Sequence, residues 1–323
     1  MLEAIFQNYG LYCRHELIRG RSWLVSGERL YQLVPARAFH HSDFEELAGL
    51  CYHLTKSGES DIATIVRAQN GGLSTTINDE SQVLLLFPEM REATALNGEA
   101  LAAFHQKCLG FSFQALADNP YLQWSTFWSR RMDDLEERFR DCETKTTLSA
   151  FEKEFREVYP YFSGRAENAI QYVTDLMIDE GMPENPVICH HRLSEQAWNV
   201  DGAGVKSPVQ WVVDHPARDL AEWLRTSVLF GARSEDDADA FLHEYLKAMP
   251  LSGTGLGMVF ARLLLPLPFI EAAEGYFTDR ENEPLWLGRL EHCLDRIDVE
   301  ELFLKHYANS FISRLAQVEW LRT

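Results

Sequence analysis

No run of about 18 uninterrupted apolar residues, the length a helix needs to cross a bilayer, occurs in this 323-residue chain, so no membrane span is expected. Its first residues, Met1-Leu2-Glu3-Ala4, carry no positive charge ahead of an apolar stretch, and no secretory leader is expected there. Basic residues are in deficit: 30 Lys and Arg stand against 49 Asp and Glu, a net charge of −19, with a pI near 5.0. A surface of that sign repels nucleic-acid phosphates and anionic lipid, which leaves only local basic patches for such partners. Cysteine is scarce and scattered. Cys13, Cys51, Cys108, Cys142, Cys189 and Cys293 form no Cys-x-x-Cys pair, so free thiols in or near the core are expected instead of a zinc centre or a disulfide framework. Glycine motifs for phosphate are also missing. There is no Gly-x-Gly-x-x-Gly, and the run Ser252-Gly253-Thr254-Gly255-Leu256-Gly257 lacks the Gly-Lys-Ser/Thr ending of a P-loop. It is expected to be a turn leading into an apolar helix. Internal repeats and low-complexity tracts are absent too.

What remains is the composition of a folded chain, 46% apolar, longer than one core usually serves and expected to form two lobes. Leu2, Ile5, Phe6 and Tyr9 share one face of a short helix. Strands are expected over 15–19, 22–25 and 29–34, the first two meeting at Gly20. Ser42 with Glu45 has the form of a capping box, with Gly58 as the stop of its helix. Strands over 63–68 and 73–77 flank a hairpin turn at Asn70-Gly71-Gly72, and Asn78-Asp79-Glu80 turns into a strand over 83–87. Pro88-Glu89-Met90 is the natural hinge.

Beyond it helical periodicity dominates: about 97–116, 125–142, 148–159, 165–180, 217–230, 235–248, 256–275 and 299–321, the last capped by Asp298 with Glu301. The expected fold is therefore α+β and bilobal, with a small antiparallel-sheet lobe over 1–88 and a large helical lobe over 89–323. A metal centre at Cys189, His190 and His191 is not expected, because adjacent residues on a strand point to opposite faces. His40-His41 is expected to be a solvated turn.

The stretch from Val187 to Arg225 carries the chemistry. Val187-Ile188-Cys189-His190-His191-Arg192-Leu193 resembles the strand and catalytic loop of aminoglycoside phosphotransferase-like and choline kinase-like enzymes, which carry His-Gly-Asp and then Asn. Trp211-Val212-Val213-Asp214 resembles their second strand and metal-binding aspartate. The run from Val213 through Asp214-His215-Pro216-Ala217-Arg218-Asp219-Leu220-Ala221 to Arg225, together with Ala261-Arg262-Leu263-Leu264-Leu265-Pro266-Leu267-Pro268, is similar to the YutH-type spore coat proteins of endospore-forming bacteria, relatives of the CotS-type kinase-like proteins. The order of segments is similar along nearly the whole chain, from Asn8-Tyr9-Gly10-Leu11 onward.

That resemblance implies a protein kinase-like, phosphotransferase-type fold with a degenerate site. In such kinases the loop aspartate accepts the proton of the attacking hydroxyl, while an asparagine and the strand-end aspartate hold magnesium against ATP. Here Arg192 stands at the base position, and a cation there cannot accept a proton. Ala197 stands at the asparagine position, with Asn199 two residues on. Leu33-Val34-Pro35 places Val34 where the phosphate-anchoring lysine belongs, so Glu45 and Glu46 on the next helix lack that partner. His190 is implied to be structural.

The expectation is a spore coat-associated pseudokinase with a structural or assembly role, made in the cytoplasm of the sporulating cell and then held in the coat with other spore coat proteins. No cofactor is expected. Two alternatives stand beside it. One is a small-molecule kinase of unusual mechanism, using Asp214 and Asn199 for Mg2+, Glu195 as base, and ATP. The other is a non-catalytic nucleotide- or metabolite-binding module. Trp124, Phe127 and Trp128 are the candidate partner patch.

Overall fold

The computed structural model describes residues 1–18, 21–89, 92–113, 123–181, 183–200 and 204–312. Among them, the N-terminal strands form one antiparallel sheet: β1 (Arg14–Ile18), β2 (Arg21–Ser26), β3 (Arg29–Pro35), β4 (Thr64–Ile65), β5 (Thr75–Ile77) and β6 (Glu80–Phe87). The strand order is β1-β2-β3-β6-β4, with β5 also on β6. Strand alternation gives the sheet two apolar faces. Tyr31 opposite Leu86 and Leu33 opposite Leu84 lie on one, where Ile5 and Tyr9 of helix α1 (Leu2–Tyr9) pack with Leu24 and Ile77. Val34 opposite Val83 lies on the other, with Trp23 edge-on to Phe87 at 4.8 Å.

The expected hairpin at Asn70-Gly71-Gly72 is not formed between strands. β4 and β5 pair with different stretches of β6 and not with each other. Bonds from Ala68 N to Gly72 O and from Gly71 N to Ala68 O, 2.8 and 2.9 Å, close a local loop instead. The true hairpin is β5-β6, where Asn78 and Asp79 both adopt positive φ, 52° and 62°, the two-residue turn whose twist matches paired strands.

Helix α2 (Phe44–Lys56) starts one residue later than the capping box suggested. Asp43, as good a cap as serine, accepts from Glu46 N at 3.0 Å, and Leu47, Leu50, Cys51 and Leu54 share the buried face. Helix α3 (Gly98–Cys108) is capped by Asn97. It ends at Cys108, short of the expected 116, because the chain turns at 109–111; residues 114–116, the Met90 end of the hinge and the Gly20 turn fall outside the described set.

The later helices are α4 (Trp124–Thr144), α5 (Ala150–Asp179), α6 (Glu195–Trp198), α7 (Ala217–Leu224), α8 (Glu235–Ala248), α9 (Gly253–Leu264), α10 (Leu267–Thr278), α11 (Glu283–Asp295) and α12 (Ile297–Phe311). α5 runs unbroken where two helices were expected, with Pro160 inside it. Proline in a helix interior costs about 3 kcal/mol. The stripe Phe151, Phe155, Phe162, Ala166, Ala169 and Val173, buried along the whole helix, offsets that cost.

Conversely, the single helix expected over 256–275 is two. Leu265, ahead of Pro266, is extended (ψ 122°), as a pre-proline residue prefers. α11 was not anticipated, although Pro284 in its first turn is a start signal. α12 has no side-chain cap from Asp298, which lies inside the first turn, and it ends at Phe311 with Ile312 extended, short of the expected 321, of which 313–321 lie outside the described residues.

The contacts divide the chain into two compact units. The first comprises 1–119, 185–214 and 241–250, and the second 120–184, 215–240 and 251–323. The 88/89 division thus marks the end of the sheet, while α3 and the 185–214 segment belong to the sheet-bearing unit. All six cysteines are free thiols. No single helix among the described residues is long and apolar enough to cross a membrane.

Candidate functional site

The catalytic-type loop is carried on a two-stranded hairpin, β7 (Val187–His190) with β8 (Trp211–Asp214), in which Val187 lies opposite Asp214 and His190 opposite Trp211. Both strands are fully buried, which is why they read as continuous apolar runs. His190 sits among the rings of Phe104 and Trp198, each with its centroid 5.9 Å away. Asp214 ends β8 completely buried. Beyond β7, Arg192 Nη1 donates to His191 O at 2.9 Å. Ser194 then caps α6 by accepting from Ala197 N, so Glu195 is the exposed first residue of a helical turn. Asn199 ends that turn. Its Nδ2 donates to Thr94 O at 2.6 Å and its Oδ1 accepts from Thr94 N at 3.3 Å, so both ends of the amide clamp the chain beyond the sheet.

The residues around Val34 find partners other than a lysine. Val34 is buried against Val83. Glu45 makes a two-pronged exposed pair with Arg67, 2.8 and 2.7 Å, and this pairing holds its carboxyl below the usual range. Glu46 meets His41 Nε2 at 2.8 Å with both side chains almost closed to solvent, 6% and 7% exposed. The expectation that His40-His41 is a solvated turn is thus half wrong: His41 is buried by this contact. Exposed His40 lies flat against His191, ring centroids 3.7 Å apart.

Sequence reasoning missed Lys206. Its buried ammonium reaches Asp61 at 2.7 Å and Glu59 at 3.2 Å and lies 4.6 Å from the Trp198 ring centre. Nothing in a lone loop lysine signals such a place.

In the second unit the run after Asp214 forms a separate polar network. Ala217 N donates to His215 Nδ1 at 3.1 Å, which leaves the proton on Nε2 to be donated to Glu184 Oε2 at 2.9 Å. Glu184 also accepts from Ser252 N, and Ser252 caps α9 through Gly255 N. The glycine-rich run is therefore a helix N-terminus whose anionic seat is filled by the chain's own carboxylate. Burial alone would raise the Glu184 carboxyl; the bonds from His215 and Ser252 outweigh it and hold it at about 2. Glu222 lies between Arg225 and Arg262, 3.0 and 3.1 Å, and Arg262 covers Trp124 at 4.8 Å. Trp124 and Trp128 are themselves buried and stacked at 5.6 Å, so these two members of the expected partner patch are core, while Phe127 between them is half-buried.

Solved structures share this architecture. An aminoglycoside phosphotransferase from Alicyclobacillus acidocaldarius subsp. acidocaldarius DSM 446 superimposes with a TM-score of 0.70 at 14% identity, over 96% of both chains. A microcompartment-associated aminopropanol kinase gives 0.61 at 14%, over 97% of this chain and 98% of that one. The class is thus the phosphotransferase-type, protein kinase-like fold, with a small antiparallel-sheet lobe and a mostly helical one; at such identities the fold alone follows. The Endospore coat-associated protein YutH of Bacillus subtilis (strain 168) is 28% identical over 332 residues, 98% of this chain and 97% of that protein. The family model described as "Spore coat putative kinase YutH" matches residues 2–307, and the chain belongs to that family.

Proposed function

We propose that this chain is a spore coat-associated pseudokinase, a structural or assembly component whose kinase-like site does not transfer phosphate. The observation that carries the reading is the fate of the helix carboxylates. With Val34 on β3, Glu45 pairs with Arg67 and Glu46 meets His41, so Val34 offers neither carboxylate the ammonium that would complete the lysine–glutamate pair anchoring ATP phosphates. Arg192 at the base position and the Asn199 amide bound at both ends to Thr94 point the same way. Coat association, with other coat proteins as partners after synthesis in the sporulating cell, rests on the printed name of the Bacillus relative.

The test is titration with ATP, with and without magnesium, read by thermal shift and calorimetry. No magnesium-dependent stabilisation is expected at micromolar ATP, and Arg192→Asp should remain inert, because Val34 still leaves the phosphates unanchored. A magnesium-dependent gain of about 2.7 kcal/mol, the signature of a hundredfold excess over Kd, overturns the reading. Transfer to a small molecule would then favour the kinase alternative, and binding without transfer the binding module.

A further inference from the structure

The helical unit holds a cavity lined by none of the candidate site residues. It measures about 520 Å³, within the range of small-molecule sites. One wall is α10, through Pro268, Glu271 and Ala272; the other is a stripe of α11 at helical spacing, Leu285, Gly288, Arg289 and His292. Phe230, Pro284 and Cys293 complete it. Burial, with Glu300 and then Glu271 nearby, pushes the Cys293 thiol up to about 12, so it stays a neutral, apolar part of the lining.

Gly288 is the informative residue. Glycine in a helix interior costs about 1 kcal/mol relative to alanine, and at Gly275 packing explains that cost, because a Cβ there would strike Trp286 at 2.2 Å. At Gly288 a Cβ would meet nothing within 4 Å. Packing therefore does not require the missing side chain, and its absence leaves the cavity wall open at this position. Leu285, half exposed at its rim, is an apolar surface awaiting cover. Arg289 and His292 stand one turn apart on the same stripe and are both exposed, while the acid Glu271 is on the facing wall.

We propose that this cavity binds a small amphiphilic organic anion, its apolar body against Phe230, Ala272 and Leu285 and its charged head at Arg289 and His292. The arginine fork suits a planar or tetrahedral oxyanion, and Glu271 opposite directs the head toward α11.

The experiment is a fluorescence titration with anilinonaphthalene sulfonate, set against its uncharged analogue N-phenylnaphthylamine. One saturable site is expected for the sulfonate. Gly288→Phe, which fills the open space, should weaken it by roughly tenfold or more, whereas Gly288→Ala should keep binding within about twofold and raise Tm. Arg289→Gln with His292→Gln should weaken the sulfonate by roughly tenfold or more and leave the uncharged dye within about twofold. Absence of a saturable site, indifference to Gly288→Phe in a protein of unchanged circular dichroism, or equal loss of both dyes in the double variant overturns the proposal. Should Gly288→Phe fail to fold, the double variant decides.

Discussion

Glu184 is a carboxylate held by two donors at once, the His215 imidazole and the backbone of Ser252. Its carboxyl is depressed to about 2 in the folded chain, so it adds stability that is fully present above about pH 4.5 and is lost as the pH falls toward 2. The full effect is on the order of 3 kcal/mol. Glu184→Gln should therefore lower Tm at pH 7 and flatten its fall between pH 4.5 and 2.5; a variant whose acid profile parallels the parent would show that the depression is not there. Arg165 and Glu300 illustrate another residue-scale rule. They pair at 2.6 Å with 4% and 8% exposure, and removing one partner strands the other in the core.

At the scale of elements, the chain around Asn199 and around Lys206 is fastened to the sheet-bearing stretch at both places. Asn199 holds Thr94 through both amide ends, and Lys206 joins Ala63 and Asp61 through its backbone, 2.8 and 2.7 Å. The Lys206 side chain completes the second fastening. Burial raises the Asp61 carboxyl, but the Lys206 ammonium outweighs it and keeps the carboxyl below its ordinary range. Lys206→Met should cost about 3 kcal/mol, because Asp61 and Glu59 lose a buried counter-ion. Lys107→Met, which removes a more exposed partner of Glu59, should cost under about 1 kcal/mol. Urea midpoints compare the two, and equal costs would refute a special place for Lys206.

At the scale of the whole molecule, charge dominates. A formal −19 at pH 7 keeps copies apart, and a pI near 5.0 means that this repulsion vanishes in mild acid. Self-association measured by light scattering should rise as the pH approaches 5 and reverse at pH 8; association that is strongest at pH 8 would point to a specific interface instead. The coat role proposed above needs such an interface. The tryptophan pair of α4 does not supply it, since both rings are spent on the core.

Local signals in the sequence were enough for the sheet strands, the β7-β8 hairpin, most helices and the family, because apolar period, turn residues and the Asp214 to Arg225 run are written in neighbouring residues. Val34 and Arg192 could be singled out as departures without a structure, since a resemblance fixes which position each occupies. Partners could not. His41 with Glu46, Lys206 with Asp61 and Asn199 with Thr94 are 5, 145 and 105 residues apart, and only the folded chain decided which polar group met which. Continuity was likewise a tertiary matter: Pro160 was overruled by the apolar stripe around it, while Pro266, whose neighbour Leu265 took the extended conformation, broke its helix. The cavity beside Gly288 had no local signal at all, because a glycine reveals why it lacks a side chain only when the space around it is known.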